Sequence, residues 1–147
     1  MTSFADIGAA LDNLPEDQPA EHVANALVDL AEAVLENWVT ARDMIPTQDT
    51  REGFRLLALH RQGAKGEPSF NACRETCREV AYHYNLVMME TGHPDIRKRL
   101  ELMEMLVRHL FLFVGGKMEE SQLGDFCCSS RPLRGAEEKI KRGNFGG

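Results

Sequence analysis

Apolar residues recur at helical spacing along most of this chain, most clearly from Ser69 to Gly92. There Phe70, Cys73, Cys77, Val80, Ala81, Tyr84, Val87 and Met88 fall on one face, in the i, i+3, i+4, i+7 order of an amphipathic helix. Ser69 stands where an N-cap belongs, and Gly92 followed by Pro94 supplies a stop. The opposite face carries Glu75, Arg78, Glu79 and His83, with Leu86 as its apolar exception.

The same period predicts four further helices. Ser3 caps a short one over residues 3–13, with Phe4, Ile7 and Leu11 on one side and Gly8 as its weak point. After the turn at Leu14-Pro15, Asp17 or Gln18 caps a long helix with Pro19 in its first turn. Its stripe is Val23, Leu27, Leu30, Ala31, Val34, Trp38, Ala41 and Ile45, and Pro46 ends it. Thr47 or Asp49 opens a third, with Phe54 and Leu57 inward and Arg51, Arg55 and Arg61 outward. Residues 63–68 read as a loop. The last helix spans Asp95 to Val114, with Ile96, Leu100, Met103, Leu106, Val107, Leu110, Phe111 and Val114 as its stripe, and Gly115-Gly116 closes it.

No alternating β-branched run or internal repeat is present. The expected fold is all-α: an antiparallel bundle of four main helices plus the short N-terminal helix. It divides into a bundle over residues 1–116 and an irregular, basic-ended C-terminal segment over 117–147. The expected core is Leu27, Leu30, Val34, Trp38, Phe54, Leu57, Val80, Tyr84, Val87, Leu100, Met103, Val107 and Leu110.

Composition narrows the partners. A formal charge of −6 and a pI near 5.4 argue against a general nucleic-acid binder. No apolar run approaches the roughly 18 to 20 residues that span a bilayer, so no membrane is expected. The first residues lack the basic start of a signal peptide. Cysteines without an export signal point to a reducing compartment, the cytoplasm by default. Charge is uneven: Asp6, Asp12, Glu16, Asp17, Glu21, Asp29, Glu32 and Glu36 all precede Arg42, the first basic residue. That stretch is a solvated acidic face, or a docking surface for a basic partner or the chain's own basic tail.

Candidate chemistry centres on sulfur. Cys73 and Cys77 lie one turn apart on one face, too far at Cβ for an unstrained disulfide but close enough to share an ion. Their place on the apolar stripe equally fits two small core residues. Cys127 and Cys128 lie in the tail and would complete a four-cysteine site for zinc or iron, without the usual CxxC knuckle. His22, His60, His83, His93 and His109 assemble into no ligand set, and no phosphate-binding loop or nucleophile elbow is present.

Two function classes follow. One is a non-enzymatic helical-bundle protein acting through a protein partner, as an adaptor, regulator or accessory subunit. The apolar run Leu110 to Val114 exceeds one helix face, so the tail, a partner or a second copy should cover it. The other is a thiol protein using Cys73, Cys77, Cys127 and Cys128 for metal or redox chemistry.

Overall fold

The computed structural model describes residues 1–121, with side chains except at Pro68, Ser69 and Ala72. Five α-helices follow one another: α1 (Phe4–Asp12), α2 (Ala20–Ala41), α3 (Arg55–Ala64), α4 (Arg74–Met89) and α5 (Ile96–Glu120). A 3₁₀ segment, Pro68–Cys73, leads into α4. The helices pack as the expected antiparallel bundle, and no strand occurs among the described residues. α5 lies against both α2 and α4, while α3 packs on α2.

Each amphipathic stripe turns inward. Leu27, Val34, Trp38, Leu57, Val80, Val87, Leu100, Met103, Val107 and Leu110 are buried, as the pattern requires. Leu30, Phe54 and Tyr84 pack against them half-buried. Ser3 caps α1, its hydroxyl accepting from the Asp6 amide at 3.1 Å. Gly8 is explained by its neighbour: a Cβ there would lie 3.0 Å from the Phe111 ring. Phe111 in turn stacks on Phe4 at 4.5 Å between centroids.

Helix boundaries depart from the sequence reading at several points. Pro19, not Asp17 or Gln18, occupies the start of α2, and its carbonyl accepts from the His22 and Val23 amides. α2 stops at Ala41 rather than just before Pro46, because Asp43 adopts a left-handed conformation (φ 62°). Ile45, expected in the stripe, is therefore 88% exposed. α3 begins only at Arg55. Before it, Arg51 and Phe54 exchange backbone hydrogen bonds at 2.9 Å around Glu52 (φ 53°) and Gly53 (φ 85°), the geometry of a two-residue turn. Gly63, read as loop, lies inside α3.

α4 starts at Arg74, with Cys73 and not Ser69 at its cap position. α5 runs through Gly115-Gly116 to Glu120 instead of ending there. Val114, Gly115 and Met118 are buried on this extension, and that burial offsets the helix-breaking cost of two glycines, about 1 kcal/mol each. The bundle itself covers most of Leu110 to Val114. Leu110 and Val114 are buried, Phe111 packs on α1 and Phe113 approaches Phe70, leaving only Leu112 outside.

Arg55 is not a free outward cation. It bridges Glu32 and Glu36 of α2 and donates to the Thr47 carbonyl at 2.8 Å. Part of the acidic face of α2 is thereby neutralised inside the fold. Burial raises the Glu32 carboxyl above its ordinary range, against the opposing pull of Arg55.

Candidate functional site

The 3₁₀ segment exists because Pro68 and the short connection from α3 tighten the chain before α4 can form. It drives Phe70 fully into the core, where the ring stacks on Trp38 at 4.7 Å and 6° and on His60 at 5.7 Å. Cys73 follows one 3₁₀ turn later and Cys77 one α-turn beyond it, so both thiols point inward and are buried.

The Phe70 carbonyl accepts from the Cys73 thiol at 3.1 Å and lies 3.4 Å from His60 Nε2. Cys73 also shares a hydrogen bond with Cys77, which lowers its pKa to about 6; burial opposes this shift and His60 adds to it. The same sulfur–sulfur hydrogen bond, with burial, raises Cys77. A hydrogen bond from Cys77 favours the ionised form of Cys73, whereas the neutral Cys73 thiol donates to the Phe70 carbonyl.

This gives an expected pH dependence. Cys73 ionises more readily folded than unfolded, so its contribution to stability is present above the unfolded value and lost as pH falls through about 6. The stability advantage of the wild type over Cys73→Ser should therefore grow between pH 6 and pH 9 in urea titrations. A constant difference across that window would mean that Cys73 stays a neutral thiol.

Sequence reasoning paired Cys73 with Cys77, and the structure brings them together. Cys127 and Cys128 lie outside the described residues. Among the described residues, no group of three or more His, Cys, Asp and Glu side chains is arranged to hold a metal ion. His60 joins the thiol pair from α3, a neighbour that no spacing within the chain announces.

His60 also faces the other way, onto the floor of a groove of about 1210 Å³. Leu57, Ala58 and His60 of α3 form that floor, with the 47–51 strap on one side and the start of α4 on the other. The strap is pinned to α3 by Gln62, which accepts from the Thr47 amide at 2.9 Å and donates to the Ile45 carbonyl at 2.8 Å. Into the groove project Arg51, Arg61, Lys65, Arg74 and Arg78, against a single acid, Asp49. The sequence held one signal of it: Arg61/Lys65 and Arg74/Arg78 are each spaced to share a helix face.

A separate feature lies on the outer side of the bundle. At 3.6 residues per turn, Tyr82, Leu86 and Met89 stand opposite the buried face of α4, and Leu102, Met105 and Leu112 opposite that of α5. Met89 is 81% and Leu112 69% exposed. No helix among the described residues is long and apolar enough to cross a membrane. Comparison with family models, with curated proteins and with solved structures finds no match for this chain.

Proposed function

We propose that the chain is a helical-bundle protein without catalytic activity that acts through a protein partner, as an adaptor, regulator or accessory subunit. The observation that carries this reading is the outer apolar face of α4 and α5. Single exposed apolar residues are ordinary on any protein. Here Tyr82, Met89, Leu102, Met105 and Leu112 share the outward sides of two packed helices. Such patches serve as contact surfaces. Two helices side by side offer a groove for a third helix, or a flat face for a second copy.

The test is a Met89→Glu, Met105→Glu double variant. Both side chains are exposed, so its melting temperature should match the wild type. Cross-linking in the native cell, from a photoreactive residue at Leu112, should give a discrete adduct that the double variant loses. An adduct of twice the chain mass would identify a second copy. No discrete adduct, or one that the variant keeps, would sink the reading.

A second reading rests on the hydrogen-bonded Cys73–Cys77 pair beside His60. It makes the chain a thiol protein in which Cys127 and Cys128 join the pair around zinc or iron, or exchange electrons with it. Metal analysis of protein purified without chelator, alongside a thiol titration, separates the two. One bound metal per chain with all thiols protected favours the thiol reading; free thiols and no metal leave the partner reading alone.

A further inference from the structure

We infer that the groove between the 47–51 strap and the start of α4 binds an acidic segment of a partner protein, through carboxylate side chains held by Arg61, Arg74, Arg51 and Lys65. This goes beyond the partner reading above, since none of the exposed apolar residues of α4 and α5 lines the groove.

The first support is unspent charge. Outside the groove, three of the seven cations among the described residues meet carboxylates. Arg55 bridges Glu32 and Glu36, Arg108 binds Asp12 and Glu104, and Lys117 meets Glu67. In the groove, Arg78 alone has a carboxylate partner, Glu52 at 3.1 Å. Arg51, Arg61, Lys65 and Arg74 have none among the described residues. What sets the groove apart is concentration: four cations without a carboxylate partner line one concavity whose lining holds a single acid, Asp49.

The second support is how the cations are held. Arg61 and Lys65 project from the last turn and cap of α3, and Arg74 and Arg78 from the first turns of α4. The strap that carries Arg51 is fastened by Gln62 and Arg55 and by the tight turn at Glu52-Gly53. The N-terminal end of α4 adds its own positive dipole to the same side. Guanidinium groups fixed on helices lose less freedom on binding than flexible lysines, and they match carboxylates in bidentate fashion.

The third support is shape. The groove is open and walled by two elements, with Leu57 and Ala58 among its lining. An extended peptide fits such a trough better than a small ligand, which needs an enclosing pocket. Carboxylates on alternate residues would meet cations on the walls while the intervening side chains lie on the floor. The overall negative charge repels nucleic acid at long range, whereas a short acidic segment meets only the local field.

The experiment is fluorescence anisotropy on the full chain with a labelled peptide of alternating glutamate and glycine. Arg61→Ala and Arg74→Ala should each weaken binding about tenfold, the loss of one charge-assisted contact. Lys98→Ala, an exposed cation on α5, should change it less than about twofold. Raising salt should weaken wild-type binding steeply. Circular dichroism melts of the variants check that the fold is intact, which their exposed positions predict. The inference is overturned if the peptide does not bind, or if Lys98→Ala matches the groove variants. It is overturned too if a single-stranded oligonucleotide of equal charge binds more tightly than the peptide.

Discussion

Trp38→Ala should cost about 3 to 5 kcal/mol of folding stability, a large share of the roughly 5 to 15 kcal/mol available to a domain of this size. The indole is 1% exposed and joins three elements. One face stacks on Phe70 of the 3₁₀ segment, and the Arg42 guanidinium lies 5.3 Å from the ring centroid. The ring N–H donates to the Gly63 carbonyl of α3 at 2.9 Å. Truncation opens a cavity between α2, α3 and the start of α4, and it strips Phe70 of its main partner. Because this is the chain's only tryptophan, the transition must be followed by circular dichroism. Trp38→Phe keeps much of the volume and loses the N–H bond, so it should fall between the two, closer to wild type. A loss below about 1 kcal/mol for Trp38→Ala would mean that the stack contributes little. The substitution should reach the thiols as well. Phe70 supplies the carbonyl that accepts from Cys73, so loosening Phe70 should speed alkylation of Cys73.

What the sequence made legible was the existence of each helix and the side it buries. Periodicity is averaged over many residues and survives local errors. Boundaries were less legible, because they depend on neighbours distant in the chain. α5 passes through two glycines because Met118 has a core to enter, and nothing before Gly115 announces that core. Glu52-Gly53 reads as a helix start until the hydrogen bonds of Arg51 with Phe54 close a turn there. The thiol pair was visible as two cysteines one turn apart. Its third member, His60, was not, because it comes from another helix through the tertiary fold. The groove cations lay in plain view as i, i+4 pairs, but a list of charges does not say which will find carboxylates. Arg55 does and Arg61 does not, although both looked outward on the same helix.

Gly63→Ala should destabilise the protein by about 1 to 3 kcal/mol, with the opposite sign to the usual effect of this change inside a helix. Alanine ordinarily stabilises a helical position by roughly 0.5 to 1 kcal/mol, because glycine loses more backbone freedom on folding. At Gly63 a Cβ would lie 2.8 Å from Trp38 Cδ1, 3.2 Å from its Nε1 and 3.3 Å from Phe70 Cε2. Neither ring has room to retreat, since both are buried and each is stacked on the other. The backbone of α3 would have to move away, straining the Trp38 and Arg42 hydrogen bonds that converge on the Gly63 carbonyl. Gly116 is the internal control. It too is helical, in α5, but it is exposed, and a methyl group added there would meet no atom within 4 Å. Gly116→Ala should therefore stabilise by roughly 0.5 to 1 kcal/mol. Urea denaturation of the two variants side by side should give shifts of opposite sign. A stabilised Gly63→Ala would show that the indole does not rest on the α3 backbone, and the Trp38 result would then need another cause.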